Sequence, residues 1–399
     1  SPSPAAAAAA AATSAAIFLA SVAVAAADAA SGGNAARSGF SVVAYLPEWR
    51  YEGANWDTIC RHTTHLLLFS LEPGPDGRIL AKDRIPRKEL LAEAREAARR
   101  HGTYLMLCFG GNGRSSGFSQ MVRDKKSRKR FIRELAKMME NLGLDGVDYN
   151  WEYPGYRFGS GYLSEEEVDA DYKGLSNLIK NTKDYFAAQN TPKVVTMAYY
   201  PDTRQEQLLK QYRIDRNVDF MHMMSYDQGG KQHSSWEFGK KAADQGRQVL
   251  PPDKLTLGLP FYGRHSATGD WTTYEDLVQR HDPLDFKIDS VPAPEPGKAT
   301  IGFNGVEMIE KKTRYALEQG LGGVMIWEVG QDCRLVPVTH GKTTHVRTCP
   351  TDNSSLLLAI SRAAASLGRE RLRTEAWTPE SASSDGETRG HTSREGGEL

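Results

Sequence analysis

The stretch Asp145-Gly146-Val147-Asp148-Tyr149-Asn150-Trp151-Glu152-Tyr153-Pro154 has the pattern of a buried strand with polar groups at every second position. Side chains of a strand alternate between two faces, so Asp148, Asn150 and Glu152 share one face at intervals of about 6–7 Å. Three polar groups in a row on a buried strand carry a desolvation cost that favours a functional site over structural filler. An acid that its surroundings keep protonated is what glycoside hydrolysis requires.

Short apolar runs alternate with amphipathic helices from residue 40 to residue 365, which predicts a parallel sheet covered by helices. Helices are expected at 88–100 and 128–141, each ended by a glycine, Gly102 or Gly143. Eight such pairs predict an α/β fold, a (β/α)8 TIM barrel with its active site at the carboxyl ends of the strands. An open doubly wound sheet is the alternative topology, but no Gly-rich phosphate turn follows the first strand. The eight predicted strands are 41–45, 65–70, 104–109, 146–152, 193–198, 220–226, 255–258 and 323–328.

Composition divides the chain into three parts: an Ala-rich leader at 1–38, the barrel at 39–366 and a polar tail without aliphatic runs at 367–399. Residues 16–24 resemble the apolar core of a secretory signal, so the leader is either a signal remnant or a flexible Ala-rich segment. The tail has the composition of a disordered segment. These features predict a secreted protein without a membrane span.

The chain carries 50 Lys and Arg against 50 Asp and Glu, so its net charge is near zero. This balance argues against a nucleic-acid partner recruited by charge. Cys333 and Cys349 flank one polar loop and could close it as a disulfide, which suits an oxidising compartment. Cys60 and Cys108 are expected to be buried free thiols. We expect a monomer.

Further motifs stand at the predicted strand ends. They are Val43-Ala44-Tyr45-Leu46-Pro47-Glu48-Trp49, Phe69, Cys108-Phe109-Gly110-Gly111, Met224-Ser225-Tyr226-Asp227, Gly258-Leu259-Pro260-Phe261-Tyr262-Gly263-Arg264 and Gly322-Gly323-Val324-Met325-Ile326-Trp327-Glu328. With the Asp145–Glu152 stretch, this series resembles glycoside hydrolase family 18, the chitinase family, whose signature is D-G-x-D-x-D-W-E. Two positions depart from the family pattern: Cys108 replaces a serine, and Asn150 replaces the middle aspartate.

The resemblance implies a retaining, substrate-assisted mechanism without a cofactor, in which the acetamido oxygen of the substrate is the nucleophile. Glu152 would act as general acid and then as general base, supported by Asp148 and Asn150. Tyr226 would hold the acetamido group and Asp227 would support the developing charge. Trp327 would form the apolar floor under the sugar. The other substrate-binding residues implied are Tyr45, Phe69, Gly111, Tyr153, Met224 and Arg264.

Asn150 cannot carry the proton that an aspartate would shuttle, although its oxygen can accept an acetamido N–H while its NH2 group donates to Asp148. The lost charge would cost about 3–4 kcal/mol, roughly 10²–10³ in rate. It would also lower the pKa of Glu152 and shift the optimum to acidic pH. The segment 265–321 is too short for the full α+β insertion that many family members carry between strands 7 and 8, so a shallower cleft is expected.

The resulting prediction is a chitinase that cleaves β-1,4-linked N-acetylglucosamine polymers. A chitinase-like lectin that binds such glycans without turnover is one alternative. The retained Glu152 favours the enzyme, whereas Asn150 favours the lectin. An endo-β-N-acetylglucosaminidase acting on N-glycans or peptidoglycan is the other alternative, because the same acetamido chemistry would apply.

Overall fold

The computed structural model describes residues 39–281, 284–295, 297–333, 335–340, 342–347 and 352–367 of the 399-residue chain. The predicted leader lies outside these residues, as does the predicted tail beyond Leu367, so both domain boundaries stay predictions. Within the described ranges, no helix combines the length and the apolar character needed to cross a bilayer.

Eight parallel strands close into a barrel, because each pairs with the next and the eighth pairs back onto the first. All eight predicted strands are present, so the barrel is confirmed and the open doubly wound sheet is excluded. Small shifts occur at the strand ends. We number the barrel strands β1 (Ser41–Pro47), β2 (His65–Pro73), β3 (Tyr104–Gly110), β4 (Gly146–Asn150), β5 (Val194–Tyr199), β6 (Phe220–Met223), β7 (Leu255–Pro260) and β8 (Gly323–Trp327).

Helices cover the outside of the barrel. The predicted stops at Gly102 and Gly143 are confirmed, since both glycines adopt left-handed backbone angles, with φ of 67° and 63°. The α-helices are α1 (Trp56–His62), α2 (Lys88–His101), α3 (Phe118–Arg123), α4 (Lys125–Leu142), α5 (Glu165–Ala188), α6 (Arg204–Gln211), α7 (Trp236–Val249), α8 (Tyr274–Arg280), α9 (Val306–Glu318) and α10 (Leu356–Leu367).

The connection between β7 and β8 contains a small α+β unit. It consists of α8 and a four-stranded antiparallel sheet. This unit is built from strands of three or four residues, which are too short to give a periodic sequence signal. Its strands are Tyr262–His265, Trp271–Thr273, Ser290–Pro292 and Thr300–Gly302.

Apolar packing forms two layers, one between the strands and the helices and one inside the barrel. Tyr45, Phe69, Tyr226 and Met325 belong to the inner layer. Because large side chains fill the barrel, polar groups that reach its carboxyl end stand on a packed base.

The cysteines divide as the sequence suggests, as far as the structure describes them. Cys60 and Cys108 are buried free thiols. Cys333 is disulfide-bonded. Its predicted partner, Cys349, lies outside the described residues, so that pairing stays a prediction.

Candidate active site

The alternation of β4 directs its polar side chains into the barrel. Val147, Tyr149 and Trp151 pack in the outer core between strands and helices. Asp148 and Asn150 therefore face the interior, and both are buried. The parallel register aligns Cys108 of β3 and Thr196 of β5 with Asp148, so three polar side chains meet at one level of the barrel.

Asp148 is fully buried and accepts three hydrogen bonds. Its Oδ2 accepts from the hydroxyl of Tyr45 at 2.9 Å and from Sγ of Cys108 at 3.2 Å. Its Oδ1 accepts from Oγ1 of Thr196 at 2.7 Å, and Nε2 of His222 lies 3.7 Å away. Burial raises the pKa of Asp148 to about 6, while the hydrogen bonds from Thr196, Tyr45 and Cys108 act in the opposite direction.

Asn150 differs from its predicted arrangement. No hydrogen bond joins its amide to Asp148 among the contacts of the described residues, where Asp148 accepts from Tyr45, Cys108 and Thr196 instead. The Oδ1 atom of Asn150 is buried and has no hydrogen-bond partner in the part of the chain that the structure describes. A buried acceptor without a donor is costly, so this atom is suited to an N–H group that a ligand brings.

Glu152 lies two residues after the end of β4 and is partly buried. Its backbone N–H donates to Oγ of Ser115 at 3.1 Å, which fixes the chain at this point. Burial raises the pKa of its carboxyl group to about 8, and the negative charge of Asp227 adds to the rise. Glu152 therefore holds its proton at neutral pH, as a general acid must.

The pKa of Asp227 is shifted in the opposite direction from that of Glu152. Burial alone would raise its pKa, but hydrogen bonds from His233 and Tyr262 and the charge of Arg264 outweigh burial and lower the pKa below its usual value. The hydroxyl of Tyr262 donates to Oδ1 at 2.7 Å, and Nε of Arg264 lies 3.5 Å from the same oxygen. Two neighbouring carboxyl groups with divergent pKa values are typical of an acid–base site.

Aromatic rings pack together at the carboxyl end of the barrel. The ring of Trp327, at the end of β8, lies 4.7 Å from that of Phe69 and 5.5 Å from that of Tyr45. Tyr226 is buried, and among the described residues its hydroxyl forms one hydrogen bond, to the sulfur of Met325 at 3.7 Å. A thioether is a weak acceptor, so the hydroxyl of Tyr226 is free to bind a stronger partner.

The other predicted residues also lie at the carboxyl end of the barrel. Gly111 has a φ of 101°, and a Cβ there would meet the Phe69 ring at 2.3 Å, so the close approach requires glycine. Met224 packs in the inner core, and Tyr153 and Trp327 pack against it.

Several residues that shape the site carry no motif signal. Thr196 donates a hydrogen bond to Asp148 from a neighbouring strand 48 residues along the chain. Nε2 of His222 lies 3.7 Å from Asp148, and Nδ1 of His233 lies 3.6 Å from Asp227. Motif spacing does not reveal these contacts. Tyr262 lies inside the quoted seventh-strand motif and could have been found there. Among the described residues, no group of three or more His, Cys, Asp or Glu side chains is placed to hold a metal ion.

Comparison with known proteins supports the same family. The chain is 27% identical over 331 residues to the probable chitinase 2 of Drosophila melanogaster, covering 64% of this chain and 63% of that protein. It is 26% identical over 356 residues to the oviduct-specific glycoprotein of Ovis aries, covering 73% of this chain and 62% of that protein. The chain thus spans less than two thirds of the length of these relatives.

Solved structures share the fold. A GH18 chitinase from the chitin utilization locus of Flavobacterium johnsoniae superposes with a TM-score of 0.62 at 25% identity, covering 83% of this chain and 95% of that one. The Group IV chitinase of Ostrinia furnacalis, in complex with allosamidin, gives 0.64 at 20% identity with coverage of 82% and 99%, a likeness in fold alone. The model of the glycosyl hydrolases family 18 matches residues 41–332, which include all eight barrel strands, and the chain therefore belongs to that family.

Proposed function

We propose that this protein is a chitinase-type glycosidase that cleaves β-1,4-linked N-acetylglucosamine chains with retention of configuration. The observation that carries the proposal is the pair Glu152 and Asp227, because the pKa of the first is raised to about 8 and that of the second is lowered. A protonated acid beside an ionised carboxylate provides both a proton for the leaving oxygen and negative charge for the cationic centre.

In the first step, the proton of Glu152 passes to the glycosidic oxygen as the bond from that oxygen to the anomeric carbon breaks. The acetamido carbonyl oxygen of the same sugar attacks the anomeric carbon and forms a cyclic oxazolinium ion. In the second step, the Glu152 carboxylate takes a proton from water, and the water oxygen opens the ring from the face of the departed group. Two inversions give net retention.

Asn150 and Tyr226 would orient the acetamido group during attack. The unpartnered Oδ1 of Asn150 accepts the acetamido N–H, and the hydroxyl of Tyr226 leaves Met325 to donate to the acetamido carbonyl. Trp327 lies under the apolar face of the sugar, where its indole packs against ring C–H groups. Held in this way, the acetamido oxygen is positioned for in-line attack.

Relative to an aspartate at the same position, Asn150 should lower the pKa of Glu152 and shift the optimum toward acidic pH, but the charge at position 150 is not what sets most of this pKa. Burial is the largest cause of the raised pKa of Glu152, and it acts without any charge at position 150. The acid form therefore dominates at neutral pH even in the presence of the amide. Asn150 should slow the reaction through weaker stabilisation of the oxazolinium ion, and not through loss of the proton on Glu152.

Binding without turnover is the second candidate function, and Asn150 is the observation that favours it. An amide at this position retains the acceptor for an acetamido N–H but removes a negative charge next to the reaction centre. Both candidate functions concern the same class of glycan.

We further propose that the protein is secreted. The disulfide-bonded Cys333 supports this, since disulfides persist in oxidising compartments. We also propose a monomer that needs no cofactor.

Proton NMR of products during the hydrolysis of chitotetraose tests the proposal. The β-anomer should appear first, because the mechanism retains configuration. An N-glycosylated protein incubated in parallel should remain intact, whereas release of its glycan would favour the endo-β-N-acetylglucosaminidase alternative. Initial formation of the α-anomer would contradict the mechanism, and an intact tetramer that still binds the protein would favour the second candidate.

A further inference from the structure

The outward face of helix α4 carries a row of like charges. In an α-helix, residues four positions apart lie on one side and are separated by about 6 Å along the axis. Four basic residues of α4 follow this spacing, and all four are exposed: Lys125, Lys129, Arg133 and Lys137. We call these four residues the basic row. Its length is about 18 Å, which corresponds to twelve residue steps of helix.

No ion pair neutralises the basic row in the part of the chain that the structure describes. Helix α4 contains seven basic residues and two acidic ones, in a chain whose basic and acidic residues are equal in number. One of the two acidic residues, Glu134, lies 3.3 Å from Nε of Arg130 and 3.5 Å from Nζ of Lys82, neither of which belongs to the row. The positive charges of the row therefore face solvent.

This arrangement opposes the stability of the helix. Like charges four positions apart destabilise a helix, and cations near its N-terminus oppose the helix dipole. Helix α4 has both features, since its first turn contains no acidic residue and begins with Lys125 and Lys126. Three other helices use the same spacing for pairs of opposite charge, namely Lys173 with Asp169, Lys180 with Asp184, Lys240 with Asp244 and Arg314 with Glu310. A local arrangement that opposes the fold is expected at a functional surface.

A linear polyanion has the chemistry that suits the basic row, because evenly spaced cations along a straight line match an extended chain with repeated negative charges. A lipid surface would need apolar side chains for insertion, and those of α4 pack in or against the core. A single-stranded nucleic acid would need aromatic side chains on which its bases stack, and the one aromatic residue of α4, Phe131, is buried. An acidic polysaccharide needs neither feature, since its charged groups project from the chain.

We propose that the basic row binds a sulfated polysaccharide. Three of its four members are lysines, which act as compact point charges, whereas a planar carboxylate is matched best by the fork of an arginine. A sulfate group presents three equivalent oxygens and requires no planar match. The row lies on the outside of the barrel, whereas Asp148 and Asn150 point into it, so a bound polymer leaves the proposed cleft open.

Fluorescence anisotropy of labelled dextran sulfate, titrated with the full chain at several salt concentrations, tests the proposal. The parent should bind at an ionic strength of about 0.1 M, with an affinity that falls as salt increases, because charge contacts release counterions. Neutralising the whole row should lower the affinity by at least about tenfold, and the log–log salt slope should be smaller by about 3, the value for four charges on a single strand. This variant carries Lys125→Gln, Lys129→Gln, Arg133→Gln and Lys137→Gln.

A matched control removes the same charge from four exposed residues outside α4 and should bind as the parent does. It carries Arg216→Gln, Lys241→Gln, Lys287→Gln and Lys298→Gln. Urea denaturation distinguishes a binding role from a structural one. Removing like charges should raise the urea midpoint of the row variant above that of the parent, whereas a row that supported the fold would lower it when neutralised.

Four results would overturn the proposal. They are absence of binding by the parent, an equal loss of affinity in the matched control, a lower urea midpoint in the row variant, and tighter binding to polygalacturonate or single-stranded DNA than to dextran sulfate. The outcome is separate from that of the proposed function, because neither Glu152 nor turnover takes part in the measurement.

Discussion

The hydroxyl of Tyr262 donates a 2.7 Å hydrogen bond to Oδ1 of Asp227, joining the β7–β8 connection to the chain that follows β6. Tyr262 is buried beneath the exposed Trp271, with the two rings stacked 4.2 Å apart. The bond favours the ionised form of Asp227, whose charge in turn helps Glu152 to keep its proton. The small α+β unit thus contributes directly to the electrostatics of the site.

Tyr262→Phe should separate these two effects, because phenylalanine keeps the stacking on Trp271 and loses only the hydroxyl. Without this donor the pKa of Asp227 rises, so the acidic limb of kcat/KM moves to higher pH. The basic limb, set by Glu152 near pH 8, should stay in place because Asp227 remains ionised there. We expect a loss of about tenfold in kcat/KM at the optimum. A shift of the basic limb alone would contradict this account.

Asn150→Asp should accelerate hydrolysis by about 10²–10³, since it restores a negative charge beside the oxazolinium ion. The added charge should also raise the pKa of Glu152 and extend activity to higher pH. Steady-state rates on a fluorogenic chitobioside across pH provide the measurement. Asn150→Ala is the control, and it should be slower than the parent because the acceptor for the acetamido N–H is removed. Equal rates and identical pH profiles in the parent and Asn150→Asp would show that position 150 carries no charge-dependent role.

The buried side chain of Lys312 should make the free energy of unfolding of the protein depend on pH. Its ammonium is fully buried and donates to the carbonyl and Oγ of Ser234 and to Oδ1 of Asn304, each at 2.8 Å. Burial lowers its pKa from 10.5 to about 7. Between these two values the unfolded chain binds a proton that the folded protein has released, so this lysine makes stability rise with pH over that window.

Lys312→Met should lower the free energy of unfolding by about 1–3 kcal/mol at neutral pH, because three hydrogen bonds to buried acceptors are lost and only the Ser234 carbonyl keeps another donor, Nδ2 of Asn304. The deficit relative to the parent should grow as pH increases, since the variant lacks the rise that Lys312 provides. Urea denaturation at several pH values measures both effects. Lys311→Met, a substitution at the neighbouring exposed lysine, is the matched control and should follow the parent. A deficit that shrinks with pH would contradict the sign of the coupling.

The barrel could be predicted from the sequence because its strands are short, apolar and separated by helices of clear periodicity. The residues at which strands end were predicted less accurately than the strands themselves. The sixth strand was predicted to reach Tyr226 but ends at Met223, because the N–H of Ser225 bonds to the Met223 carbonyl and Asp227 adopts a φ of 61°. The chain turns there to bring Asp227 toward the site, and an apolar pattern does not report such a turn.

Strand-end motifs are enough to propose the side chains of the candidate site, whereas the contacts that shift their pKa values leave no signal in the sequence. Thr196 stands on β5 as an ordinary strand residue, and only the register places it against Asp148. The same register brings Cys108 to Asp148, and among the described residues Asp148 accepts from Tyr45, Cys108 and Thr196 and not from the Asn150 amide. Contacts between distant strands depend on the closed barrel, which local sequence patterns do not describe.

The measurement that tests the central claim most directly is the pH profile of chitotetraose hydrolysis by the parent and by Glu152→Gln. The parent should cleave the tetramer with a basic limb near pH 8, where Glu152 loses its proton. Glu152→Gln should keep its affinity for the tetramer and lose at least about 10³-fold in rate, since a sugar leaving group requires the acid. Cleavage by Glu152→Gln at the rate of the parent, or no cleavage by the parent at any pH, would contradict the account.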